Sequence, residues 1–417
     1  MKILLIANRA PWPPINGATI RHYHIIRALK ARGDEVHVFG FAEADERERA
    51  QAESALMADS ALIETLDPIE RWLGAGLSLL AGEPLSVGWF RNRRLARRWQ
   101  ACLAAVRPDL IVAHSSNVAP YVPAALRDRA YLDMTDVDSE KFAQYARAGR
   151  GPGRWIHALE ARRLRQLELD AVAGFAGTCL VTEREMQSLL PDLDAAARAR
   201  LVAIPNGVDT TLFCPAAPDT DPRDALPDAE REHLAGEGPN LVFTGVMNYP
   251  PNVDAAIWFA HEVLPRVRQR HPAARFIVVG ARPDARVRAL AALDGVRVTG
   301  FVARSVPYFQ AASVGVLPLR IARGIQNKAL EAMACALPCV ATRTVADGVS
   351  AEDGRHLRMA DEAESFAAAV CELLDGPEAA RAMGRRARAH VEQHFGWAPL
   401  MQRLLDDIDA RLGRKAA

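Results

Sequence analysis

The chain is poor in cysteine, and its cysteines form no pattern. The six (Cys102, Cys179, Cys214, Cys335, Cys339 and Cys371) include no CxxC spacing. That argues against zinc and disulfide frameworks and fits a reducing compartment. Neither sign of charge is in excess, because 52 Lys and Arg stand against 51 Asp and Glu, for a net of +1. The composition therefore supplies no global basic field of the kind that gathers nucleic acid. Long hydrophobic runs are missing as well. No stretch approaches the roughly 18 apolar residues of a membrane span. The opening run MKILLIA breaks at Asn8 and Arg9, too early for a signal-peptide core, and reads as a first buried strand. A cytoplasmic protein is expected. No GxGxxG follows a candidate strand, which argues against a nicotinamide-dependent oxidoreductase.

What is present is enough chain for two cores. Of 417 residues, 50% are hydrophobic and 25% charged, the balance of an ordinary globular protein large enough for two domains. Short apolar runs at 2–7, 35–39, 110–113, 130–134 and 179–182, with a further one near 60–66, alternate with amphipathic helical patterns. The alternation pauses at 206–238, a stretch rich in Pro, Asp and Gly, and resumes with runs at 241–244, 275–279, 296–299, 314–317 and 339–342. Such alternation predicts an α/β protein of two Rossmann-like, doubly wound parallel sheets facing across a cleft. The expected boundaries are 1–205, a hinge and exposed insert at 206–238, and 239–397, with a final helix at 398–415 returning to the first domain. In such sheets ligands bind beyond the carboxyl ends of the strands, so the loops that follow each strand are the places to search.

Several of those loops carry chemistry. Gly17 precedes a helix whose free N–H groups suit an anion, with Arg21 and His22 close behind as possible donors. A proline-rich connection that simply needs a glycine turn is the plain alternative. His114 ends one strand, where it is either a packed structural residue or a reactive group. Asp133, Asp136 and Asp138 end the next; they suit a divalent metal or, more plainly, a helix cap at Asp138 or Ser139, leaving Asp136 to meet a hydroxylated ligand or act as a base. In the second half, Gly245 opens the loop VMNYPPN, which holds no cation. Phe301 follows another strand and reads as core or as the wall of a base-binding slot. The stretch RIARGIQNKALEAMACALPCVAT places Gly324 at a turn, with Lys328 and Glu331 one helical turn apart. They form either an exposed ion pair or a pair directed at a ligand.

The segments PPINGATIRHYHIIRALKARGDEVHVF, CLVTEREMQSL, IPNGVDTTLF, LEAMACALPCVAT and HFGWAPLMQRL together resemble the retaining glycosyltransferases of family 4, which have the GT-B fold. FTGVMNYPPNVDAAIWFAHEVLP and LDMTDVDSEKF resemble the subgroup tied to exopolysaccharide synthesis in exosortase (PEP-CTERM) systems. The resemblance implies transfer of a sugar, with retention, from a nucleotide-sugar donor to a glycan acceptor, one expected to be lipid-linked. It implies no obligatory metal. Glu331 matches the second acid of the family's E-x7-E motif and should bind the donor ribose. Gly17 matches the loop glycine beside the diphosphate, and Phe301 and Val302 match the base-contacting segment. Arg323 stands where the first acid of that motif falls, and Asp136 stands where a histidine is usual. Arg323 and Lys328 are therefore expected to replace the missing cations at the diphosphate, close to Gly324 and Gly245. His114 and Asp136 are the catalytic candidates, and Arg21 and Asp138 are placed on the acceptor side. The arginines of WFRNRRLARRW (Trp89 to Trp99) suggest peripheral contact with an anionic inner membrane, or else a solvated helix face. A nucleotide-sugar epimerase of the same fold, and a nucleotide-sugar-binding protein with weak catalysis, are the alternatives.

Overall fold

A computed structural model describes residues 1–12, 17–90, 93–148, 151–321 and 325–414. The chain divides into two compact units, Met1–Asn206 with Leu400–Ala417, and Gly207–Pro399.

The first unit is built on seven strands: β1 (Lys2–Ala7), β2 (Glu35–Ala42), β3 (Ser60–Thr65), β4 (Leu110–His114), β5 (Ala130–Thr135), β6 (Gly177–Leu180) and β7 (Leu201–Ala203). They pair in parallel in the order β3-β2-β1-β4-β5-β6-β7. Parallel strands need long crossovers, and helices supply them. The strand order reverses between β1 and β4, so helices cover both faces. This explains why β4 reads as an unbroken buried run, LIVAH, rather than an alternating one. The helix Trp397–Arg411 joins this unit from Leu400 onward. Tyr131 donates to Asp407 at 2.6 Å, and Arg32 to Asp409 at 3.0 Å.

The second unit repeats the plan with β8 (Asn240–Thr244), β9 (Arg275–Val279), β10 (Val296–Gly300), β11 (Val314–Leu317), β12 (Cys339–Ala341) and β13 (Arg358–Met359). Their order is β10-β9-β8-β11-β12-β13, all parallel, with the reversal between β8 and β11. The stretch 206–238, expected to be a hinge and exposed insert, belongs in large part to this unit. Leu226 and Leu234 are buried in its core, and Tyr308 donates to Glu230 at 3.1 Å. Two apolar anchors hold a segment that otherwise lacks periodicity.

The basic segment Trp89 to Trp99 is also more internal than expected. Trp99 is buried among Phe39 and Tyr121. Arg94 and Arg98 both pair with Glu64, itself buried. Arg93 and Arg97 remain exposed. No helix among the described residues is long and apolar enough to cross a membrane.

Candidate functional site

In an open parallel sheet the crevice forms where the strand order reverses. In the second unit that point lies at the carboxyl ends of β8 and β11, and three sequence candidates, Gly245, Lys328 and Glu331, lie in the chain that follows those strands. Gly245 directly follows β8 with φ of 156°. Gly280 follows β9 with φ of 152°, and a Cβ there would collide with the Gly245 carbonyl. Gly280 donates its N–H to Gly300 at 3.1 Å, and Gly245 donates to Val279 at 3.0 Å. Side chains are excluded from these strand tips, where the backbones of Gly245 and Gly280 pack on each other and beside Asn252 and Lys328.

Lys328 enters from the helix Asn327–Ala334, which follows β11. Its ammonium donates to Asn252 Oδ1 and sits 5.0 Å from the centre of the Phe243 ring. Asn252 is held by its own amide, which donates to Val246 O at 2.9 Å. Among the described residues no carboxylate lies within ion-pair distance of Lys328, so of the two readings the exposed ion pair with Glu331 is not formed. Removal from water pulls the lysine down to about 8, with the Glu331 charge opposing the shift. Glu331, one turn on, is pushed up to about 7 by burial, against the pull of Lys328. Lys328 also lines an open depression of about 470 Å³ together with Gly245, Asn248, Tyr249 and Asn252. Arg320 is committed elsewhere, forming a two-point pair with Asp254 at 3.0 and 2.5 Å. Phe301 follows β10 and is 77% exposed, while Val302 packs against the core. Arg323 and Gly324 lie outside the described residues.

In the first unit the reversal lies between β1 and β4. Gly17 opens the helix Gly17–Ala31 that follows β1. Arg21, expected to meet an acceptor, is instead fully buried. Its Nε donates to both Asp133 oxygens at 2.9 Å, Nη1 to Ile204 O at 3.1 Å, and Nη2 to Cys179 Sγ at 3.2 Å. Its donors are used in tying β5, β6 and the chain after β7 together. Burial alone would lower the arginine, but Asp133 outweighs it and holds it above its ordinary range. The partner effect holds Asp133 below the usual carboxylate range, Arg21 and His114 overcoming the cost of burial.

His114, expected as a catalytic group, is 1% exposed and has Nδ1 2.8 Å from Asp133 Oδ2. It meets no solvent and therefore touches no ligand directly. His22 stands edge-on to it, with ring centroids 3.6 Å apart. Among the described residues neither buried His22 ring nitrogen has a hydrogen-bond partner. Burial, followed by His114, lowers its proton affinity, so it stays neutral.

Backbone strain marks the same strand tips. Ser115 and Thr135 adopt φ of 82° and 66°, conformations that side chains rarely accept. Asp136 follows at the exposed end of β5. Lost hydration, then the Glu185 and Asp138 carboxylates, push it up to about 6. Asp138 opens the helix Asp138–Ala148, accepts from Ser116 at 3.4 Å and lies 3.7 Å from Lys141.

The sequence did not single out Asn252, Gly280 or the Arg21–Asp133 pair for these roles. Their partners are distant along the chain, and only a coincidence of glycines at strand ends hinted at the second.

Two family models match the chain. "Glycosyltransferase Family 4" covers residues 15–212 and "Glycosyl transferases group 1" covers 238–376. D-inositol 3-phosphate glycosyltransferase of Kineococcus radiotolerans is 32% identical over 54% of this chain, a match spanning about half (55%) of that relative. Glycogen synthase of Mycobacterium tuberculosis is 25% identical over 95% of this chain and 92% of its own length. The crystal structure of Anabaena Alr3699/HepE in complex with UDP superposes with a TM-score of 0.69 at 14% identity, covering 98% of this chain and 100% of that one. The fold is GT-B, and each of the two matches is to a glycosyltransferase domain model that covers less than half of the chain.

Proposed function

We propose that this chain transfers a sugar, with retention, from a nucleotide-sugar donor to a glycan acceptor. The observation that carries the reading is Lys328. It is a half-buried cation beside Gly245, with an amide and an aromatic face next to it and, among the described residues, no carboxylate within ion-pair distance. A diphosphate satisfies such a cation through charge-assisted hydrogen bonds. Glu331, ionised above about 7, accepts from the ribose hydroxyls. Gly245 admits the phosphates closely, and Phe301 with Val302 receives the base. In the first unit, Gly17 opens a helix whose free N–H groups suit an anion.

In the reaction the anomeric bond to the diphosphate oxygen breaks as the acceptor hydroxyl oxygen bonds to the same carbon from the same face. The hydroxyl proton passes to the leaving diphosphate. Asp136, ionised above about 6, holds a hydroxyl of the transferred sugar or of the acceptor, with Asp138 beside it. His114 acts through Asp133, fixing the strand tip rather than touching substrate. The acceptor is a lipid-linked glycan, and exopolysaccharide synthesis is the setting that the similarity of FTGVMNYPPNVDAAIWF favours.

A thermal-shift screen over nucleotide sugars tests the reading. At one hundred times Kd the right donor adds about 2.7 kcal/mol of stability. Lys328→Ala and Glu331→Ala should each remove most of that response. A protein that no nucleoside-diphosphate sugar stabilises would refute the proposal.

A further inference from the structure

The helix Pro68–Leu80 is inverted relative to a helix that covers a core. Ile69, Trp72, Leu73, Leu77 and Leu80 recur at helical spacing on one face. That face points to solvent, with exposures from 64% at Leu73 to 86% at Leu80. The inward face carries the buried Gly74, Ala75 and Ser78, with Arg71 one turn before them paired to Glu43 at 3.0 Å. These small residues let the helix Leu85–Phe90 approach so closely that a Cβ on Gly88 would collide with the Gly74 carbonyl. The close packing therefore fixes which way the apolar stripe faces. A contiguous outward stripe of this kind calls for an apolar partner.

The surrounding charge identifies that partner. Residues 68–106 hold six arginines against two glutamates; Arg71 pairs with Glu43, and Arg94 and Arg98 with Glu64, which leaves Arg93 and Arg97 as the exposed cations among the described residues. Arg94 lies 3.5 Å from Glu70, which brings the arginine-rich helix Arg93–Val106 to one end of the stripe. Arg163 donates to Leu79 O at 3.2 Å and Glu83 O at 3.0 Å, marking the other end with a second cation. A second copy of this chain packed on the stripe would set arginine ends against arginine ends in either direction, which is unfavourable. An anionic lipid surface instead meets the arginines with phosphates and the stripe with acyl chains.

We infer that the helix Pro68–Leu80 seats the first unit on an anionic lipid surface, with Trp72 and the leucines entering the boundary between headgroups and acyl chains. This does not depend on the reaction proposed above. It also extends the lipid contact expected of the Trp89 to Trp99 segment, whose Trp99 is core but whose Arg93 and Arg97 are exposed, to the neighbouring helix.

Co-sedimentation of the full chain with vesicles of phosphatidylcholine, alone or with 3 parts in 10 phosphatidylglycerol (about 30 %, a typical anionic load for such assays), tests it. Binding is expected to the anionic vesicles and to fall at least tenfold in Leu73→Glu/Leu77→Glu. It should fall about fivefold for each of Arg93→Gln and Arg97→Gln. All four side chains are exposed, so the melting temperature should hold; Trp72→Ser repeats the test at a third exposed position. No binding to anionic vesicles, or binding that these variants leave unchanged, overturns the inference. So does a dimer that the double variant abolishes in a protein without vesicle binding, because a second copy then covers the stripe. The donor-induced thermal shift should be the same in every variant. Its loss in the unmodified protein would count against the proposed reaction and not against this surface.

Discussion

Lys328 titrates in the range where donor binding can be followed, and the sign of the effect is fixed. Its ammonium is lost as pH rises through about 8. A diphosphate binds the charged form, so donor affinity should fall about tenfold per pH unit above that point. Between pH 7 and 9.5 the charged fraction drops about thirtyfold, equivalent to about 2 kcal/mol of binding. Solvent on the open side of the depression screens part of this, so a fall of ten- to thirtyfold is expected. Glu331 works in the opposite direction. It becomes a carboxylate only as pH rises through about 7, and the ribose hydroxyls need an acceptor. The pH dependence of kcat/KM for the donor should therefore be a narrow bell with limbs near 7 and 8, values that belong to the interacting pair.

Isothermal titration with the donor at fixed ionic strength, together with initial rates, measures both limbs. Lys328→Arg keeps a cation that does not titrate below pH 12 and should move the alkaline limb out of range. Glu331→Gln should flatten the acid limb at a cost in affinity. Donor affinity that stays constant from pH 7 to 9.5 in the unmodified protein would remove Lys328 from the diphosphate.

Arg21→Met leaves Asp133 buried without its main partner and should lower stability by about 3–5 kcal/mol in urea unfolding. Because Asp133 is held below the usual carboxylate range, its contribution is complete above the unfolded value of about 3.9 and is lost as pH falls below it. The difference between Arg21→Met and the unmodified protein should thus be flat from pH 5 to 8. Gly280→Ala forces a Cβ into the Gly245 carbonyl at φ of 152°; a loss of more than about 2 kcal/mol is expected, together with the donor response. Phe301→Ala removes an exposed ring, so the melting temperature should stay put while donor KM rises about five- to tenfold.

The strands buried on both faces were legible because parallel sheets leave continuous apolar runs: β1, β9 and β11 coincide with the runs at 2–7, 275–279 and 314–317. The edge strands β3 and β10 match the runs near 60–66 and at 296–299, but β7 and β13 were not legible, since they span three residues and two, too few for any period to register. At the candidate site, the placement of Lys328 and Glu331 one turn apart could be seen from local spacing, although they form no ion pair. The fate of Arg21 could not. An arginine early in a helix after a glycine looks like an anion ligand, yet this one turns inward to a carboxylate 112 residues away. The helix Pro68–Leu80 shows the same limit in another form. Periodicity reveals that a helix has an apolar stripe, but a period carries no information about which way the stripe faces. Direction is decided by what the opposite face can pack against. Here Gly74, Ala75 and Ser78 present a surface small enough for Gly88 to close on, and tight backbone contact takes the inward side. A rule that apolar stripes point inward assumes no competing small-residue face. Where one exists, the apolar side is released to solvent, and the arginines at both ends then limit what can cover it.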